Sequence, residues 1–121
     1  MTGLKIGDLT ARVPIIQGGM GVGISLSGLA SAVANEGGIG VISCAGLGLI
    51  YREKARSYMD SCIVGMKEEI RKAKEKSSGI IGVNIMMALT NFSDMVKVAV
   101  AEKVDIVFAG AALIATIGYS G

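Results

Sequence analysis

Apolar positions recur at two spacings along the chain. Short runs of aliphatic residues set among glycines predict strands buried on both faces. Longer stretches with an apolar residue every three or four positions predict amphipathic helices. Residues 13–17, with Val13, Pro14, Ile15, Ile16 and Gln17, form a first expected strand that runs into glycines. Residues 25–36 read as a helix with Leu26, Leu29, Ala30, Ala32 and Val33 on its apolar face. Ser25 stands where its cap should be, and Gly37-Gly38 where it should stop. Residues 39–43 form the second strand, and Ala45-Gly46-Leu47-Gly48 a glycine-rich connector. Residues 52–76 follow as one amphipathic helix, or two parting near Gly65. Its expected face holds Ala55, Tyr58, Met59, Cys62, Ile63, Met66, Ile70 and Ala73. Residues 80–84 give a third strand and 105–109 a fourth. The helix between them, 91–103, turns Phe92, Met95, Val96, Ala99 and Val100 inward, with Asn91 as its cap.

Helices separate successive strands, which predicts parallel βαβ units with right-handed crossovers and an α/β fold class. No Ser- or Pro-rich linker divides the chain, so residues 1–121 are expected to be one domain. Four parallel strands make half a barrel, and an unclosed sheet leaves backbone groups and apolar surface exposed. The apolar stretch Ala112-Leu113-Ile114-Ala115-Thr116-Ile117 has no partner strand in view. The domain is therefore expected to be incomplete.

Composition narrows the function classes. Hydrophobic residues make up 51% of the sequence and aromatics only 4%, and the mean hydropathy is +0.59. Small aliphatics, Met and Gly thus supply the core. The 12 basic and 10 acidic residues are interleaved without aromatic company, which is no nucleic-acid footprint. The uncharged stretch 13–35 holds Pro14, Gln17 and five glycines, so it is no membrane span. Lys5, Asp8 and Arg12 interrupt any signal-like apolar run, and a cytoplasmic location is expected. Cys44 and Cys62 have neither metal nor redox spacing and read as free thiols. Histidine is absent, which removes the commonest general base and metal ligand.

Candidate chemistry gathers at strand ends, where parallel α/β folds place their ligands. Gln17-Gly18-Gly19-Met20-Gly21-Val22-Gly23 follows the first strand. Glycines there let a flat ligand approach the backbone and free its N–H groups as donors. A bare turn is one alternative, and a dinucleotide-binding turn another. The latter has the wrong glycine spacing, and Ser43 and Cys44 stand where a ribose-binding acid is needed. Asn84 closes the third strand with an amide that both donates and accepts, suited to a ring edge or to capping local backbone. Ser43, Cys44, Ala45 and Gly46 after the second strand, and Gly110 after the fourth, are small enough to leave room above the strand ends. Cys44 has no neighbouring base to make it a nucleophile.

Five ordered blocks carry a resemblance. Pro14-Ile15-Ile16-Gln17-Gly18-Gly19-Met20-Gly21, followed by Leu29-Ala30-Ser31-Ala32-Val33 and Gly37-Gly38-Ile39-Gly40, resembles the opening of the nitronate monooxygenase (2-nitropropane dioxygenase) family. Gly82-Val83-Asn84-Ile85-Met86 and Val107-Phe108-Ala109-Gly110-Ala111 match the next two strand ends, so the resemblance spans about residues 4 to 111. It implies the N-terminal half of a TIM (β/α)8 barrel that holds FMN at its C-terminal mouth, truncated before closure. The expected cofactor-binding residues are Gln17, Gly18, Gly19, Met20 and Gly21, acting largely through backbone, with Ser43, Asn84 and Gly110. The implied reaction oxidises an alkyl nitronate with FMN and O2. An FMN-dependent enoyl-acyl-carrier-protein reductase is the alternative, and an inactive half-barrel is an alternative of another class. The family's catalytic histidine and phosphate-binding turns fall later than any segment here. No metal, nucleic acid or membrane partner is implied, and the oligomeric state is left open. Ala112 replaces an expected glycine and no proline follows, so the tail 112–121 departs from the family pattern.

Overall fold

Alternation along three strands decides which surface faces what. The computed structural model describes residues 3–86 and 91–109. The expectations for Gly110 and for the tail 112–121 lie outside them. Strands β1 (Leu4–Ile6) and β2 (Leu9–Ala11) form an antiparallel hairpin. Helix α1 (Ser27–Asn35), strand β3 (Ile39–Ser43), the short helix α2 (Leu47–Ile50) and the long helix α3 (Tyr58–Lys76) follow. Strand β4 (Ile80–Ile85), helix α4 (Phe92–Ala101) and strand β5 (Ile106–Ala109) complete the order. β3, β4 and β5 form one parallel sheet in that order, the expected α/β arrangement.

One face of this sheet carries Ile42 and Cys44, then Ile81, Val83 and Ile85, then Val107. They pack on Ala30 and Ala34 of α1, Met66, Ile70 and Ala73 of α3, and Met95 and Ala99 of α4. The other face begins with Ile39 and Val41, packed with Ile80 and Ile106 against Leu4, Ile6 and Ala11 of the hairpin. Helices therefore cover most of one face, leaving Ala109 at its edge exposed. Among the described residues, the hairpin covers the other at the strands' starting ends. Its two three-residue strands are too short to show periodicity, and their one strong signal is Gly7, at φ +56 in the turn.

Residues 13–17 do not form the regular strand expected of them. A single parallel bridge joins Ile16 to Ile39. Ile39 N donates to the Ile15 carbonyl at 2.9 Å, and Gln17 N donates to the Ile39 carbonyl at 3.1 Å. Beyond that point a side chain takes over. Val41 N donates to Gln17 Oε1 at 3.0 Å, and Gln17 Nε2 donates to the Val41 carbonyl at 2.9 Å. The amide of Gln17 thus stands in for the next peptide of a ladder.

Helix α1 also differs from its expected form. It begins at Ser27, without a side-chain cap of its own. A Cβ on Gly40 would overlap the Ala30 carbonyl oxygen, so helix and strand pack backbone to backbone. That proximity selects the small residues Ser27, Ala30, Ser31 and Ala34 for the buried stripe, and leaves Leu29 and Ala32 exposed. Gly37 takes φ +93 just past the helix end. Gly38 N donates to the Val33 carbonyl there, and Gly37 N to that of Ala34.

Helix α3 runs unbroken through Gly65 but starts at Tyr58 rather than at residue 52; residues 52–54 form a separate 3-10 turn, and the glycine-rich connector leads into α2. A Cβ at Gly65 would stand 2.7 Å from the ring of Tyr51, so this glycine makes room for an aromatic neighbour. Tyr58 and Met59, assigned inward by spacing, are exposed. In α4, Met95 and Ala99 are buried and Val100 is 65% exposed, against its expected inward position. Asn91 precedes α4 but makes no side-chain capping bond.

Candidate functional site

The open end of the sheet's hairpin-bearing face is where the expected site residues meet. Register places Ser43 beside Asn84, and Asn84 beside Phe108, across β3, β4 and β5. Against this row lies the segment that carries the glycines. A cleft of about 190 Å³ opens between them, lined by Ile16, Gln17, Gly18, Gly19, Val41, Asn84 and Phe108. That is smaller than the roughly 300–1,000 Å³ of a typical ligand pocket. None of the lining side chains is charged.

The structure brings Gln17, Gly18, Gly19 and Asn84 together around this cleft. Met20 stands half exposed in the same loop. Ser43 is buried, and its Oγ accepts a long hydrogen bond from Ala45 N. Gly21 faces Ala45, whose Cβ would stand 2.7 Å from any Cβ added there. Met20, Gly21 and Ser43 thus belong to the loop and strand end behind the cleft rather than to its lining. Val41 and Phe108, not foreseen as site residues, supply its apolar surface. Strand alternation could have found both, since they share a face with Ser43 and Asn84.

The two central glycines have different reasons to be glycine. A Cβ on Gly19 would sit 3.0 Å from Asn84 Cβ and 3.1 Å from its Nδ2. The loop backbone is therefore pressed against Asn84, and any side chain would wedge them apart. A Cβ on Gly18 would meet nothing within 4 Å. Its absence leaves bare backbone at the cleft.

A residue read as a helix cap turns out to organise the loop. Ser25 is 0% exposed and does not cap α1. Its Oγ accepts from Met20 N at 2.8 Å and from Gln17 Nε2 at 3.0 Å, and donates to the Gly18 carbonyl at 3.3 Å. Its backbone N donates to the Met20 carbonyl at 2.9 Å, and its carbonyl accepts from Ser43 N at 2.8 Å. A serine just before a helix has the same sequence signature in either role, so nothing in the sequence separates the two.

Behind the site, α1, α2 and α3 share a buried carboxylate. Glu69, 4% exposed, accepts from the Ser27 backbone N at 2.8 Å and from the Tyr51 hydroxyl, with Lys72 Nζ at 3.6 Å. It caps α1 from another helix, which explains how α1 dispenses with its own cap. Burial alone would raise its pKa. The Tyr51 hydroxyl, the Ser27 donors and Lys72 outweigh that and hold it below the usual carboxylate range. Burial, then the Cys62 thiol, pushes Cys44 up to about 12, so it stays protonated at neutral pH and offers no thiolate. Among the described residues no group of side chains could hold a metal ion. Among them, too, no helix is long and apolar enough to cross a membrane.

Comparison with known proteins bears on this geometry. A family model described as nitronate monooxygenase matches residues 4–118. The solved structure of FabK from Thermotoga maritima superposes with a TM-score of 0.62 at 30% identity, over 82% of this chain and 27% of its own. A point mutant of the same FabK gives a TM-score of 0.61 at 31% identity, over 82% of this chain and 29% of its own. The chain thus spans less than a third of either solved chain. No curated protein matches it.

Proposed function

The chain belongs to the nitronate monooxygenase family, and from that premise we propose that it forms one wall of the FMN site of a flavin-dependent oxidoreductase, as the first half of a TIM-type barrel. The observation that carries this reading is the meeting of bare backbone at Gly18 and Gly19 with the Asn84 amide over an uncharged cleft. That surface fits a flat ring with a polar edge. The Gly18-Gly19 backbone would lie along the ring, Val41 and Phe108 would offer apolar contact, and Asn84 would meet polar atoms at the rim. Gln17, with its amide committed to Val41, would hold the loop rather than touch the ring through its side chain. Met20, Gly21 and Ser43 would support the same loop, and Gly110 is proposed as a further cofactor contact from the family resemblance.

When bound, FMN would supply the electron-transfer and O2 chemistry, and the protein orientation and hydrogen bonding. Alkyl nitronates are the proposed substrates, with O2 as acceptor and a cytoplasmic setting. The sequence holds no histidine, so this chain has no imidazole to take a substrate proton. The described residues also offer no built phosphate site. We infer that the 121 residues bind FMN weakly and do not turn over alone. A second reading, an FMN-dependent enoyl-acyl-carrier-protein reductase, is favoured by the likeness to FabK.

Titration of FMN followed by flavin fluorescence tests the proposal. Weak, saturable quenching that is lost in Asn84→Leu is expected. A tight stoichiometric complex would refute the claim that the site is incomplete, and no quenching at any concentration would refute the flavin site.

A further inference from the structure

We infer that Ser25 is a positioning residue for the ring-binding backbone, an inference that rests on the flavin reading above. Three hydrogen bonds at its hydroxyl and one at its backbone N converge on residues 17–20. Met20 N donates to Ser25 Oγ while Ser25 N donates to the Met20 carbonyl, which ties residues 20 and 25 together at the base of the exposed loop. The Ser25 carbonyl, accepting from Ser43 N, anchors that closure to the end of β3. The hydroxyl also reaches the Gly18 carbonyl and Gln17 Nε2. Gln17 in turn is clamped to Val41, which lines the cleft.

Little side-chain burial holds the loop in this position. Gly18, Gly19 and Gly21 have no side chains to bury, and Met20, Val22 and Ile24 are each at least half exposed. Polar contacts to one fully buried hydroxyl replace a core. They set the backbone at Gly18 and Gly19 relative to Asn84, where a Cβ on Gly19 would already be 3.0 Å away. Removing the hydroxyl leaves the Met20 N–H without its acceptor and frees the loop to move off Asn84. Surface groups that a ligand must find in place then have to be ordered on binding, which weakens affinity.

The test uses Ser25→Ala, with Ser31→Ala as control. Ser31 is also buried, and its hydroxyl donates to the Gly28 carbonyl in α1, away from the loop. Both variants lose one buried hydroxyl, so a loss of stability alone affects both alike. In Ser25→Ala, amide exchange at Met20 is expected to speed up while that at Ile42 in β3 stays protected. FMN affinity is expected to fall roughly tenfold, the effect of losing one or two buried hydrogen bonds. Ser31→Ala should match the parent protein in both readouts. Equal FMN affinity in all three proteins would overturn the role of Ser25 and leave the flavin reading standing. A similar fall in both variants would overturn it too, by making the effect one of stability. FMN binding by none of them would overturn the flavin reading itself.

Discussion

At the scale of single residues, polar side chains at this site do structural work that their type does not announce. Gln17 completes a strand ladder, Ser25 closes a loop, and Glu69 caps a helix to which it does not belong. Glu69 gives a prediction with a sign. Its folded pKa is depressed, so its contribution is present above the unfolded value, near 4.3, and is lost as pH falls through the folded one. Glu69→Gln should cost about 1–3 kcal/mol at neutral pH, the range for a hydrogen bond to a charged group and a partner left unsatisfied. Urea unfolding of both proteins at pH 7 and in acid checks this, and the gap should shrink in acid. A gap that widened in acid would mean the carboxylate is not held ionised by Tyr51, Ser27 and Lys72. These roles were not legible in the sequence because each depends on a particular partner 5 to 42 positions away. Asn84 and the glycine loop were legible, because position at a strand end needs only the order of elements.

Elements were read well where burial is symmetric. β3 lies wholly inside, so its composition alone marks it, whatever its neighbours do. Helix faces were read less well. Spacing finds the apolar stripe, but how closely a helix approaches decides which residues fill it, and α1 sits so near β3 that serine and alanine displace leucine. Helix ends offer a sharper test. α1 and α4 stop with the same pair of hydrogen bonds, from Gly38 to Val33 and Gly37 to Ala34 in one, and from Val104 to Ala99 and Lys103 to Val100 in the other. In α1 the left-handed residue is Gly37, and in α4 it is Lys103 at φ +60. A side chain in that region carries strain that glycine lacks. Lys103→Gly is expected to raise stability by about 0.5–1 kcal/mol, on the scale of known left-handed cap effects. A thermal melt of the two proteins reads it, and a lower midpoint in the variant would contradict the assigned backbone strain.

For the whole molecule, the sheet has one largely covered face and one partly covered face. Helices cover most of the first. Among the described residues, the hairpin closes the lower part of the second, and the cleft lies at the strands' C-terminal ends. Among the described residues, that asymmetry leaves an α/β unit with an open, uncharged cleft at its strand ends. With an alkyl nitronate and FMN, the 121-residue chain should consume no O2 above the rate of free flavin. A protein carrying the whole barrel should do so, and NAD(P)H oxidation with an enoyl thioester in its place would select the reductase. Turnover by the 121 residues alone would show that no later segment is needed.

The central claim is that a flat ring rests on the Gly18-Gly19 backbone beside Asn84. An amide-resolved NMR titration with FMN measures this directly. Saturable shifts should be confined to residues 17–20, Val41, Asn84 and Phe108, with α3 and the hairpin unmoved. Shifts centred on any other surface, or none at these residues, would contradict the assignment.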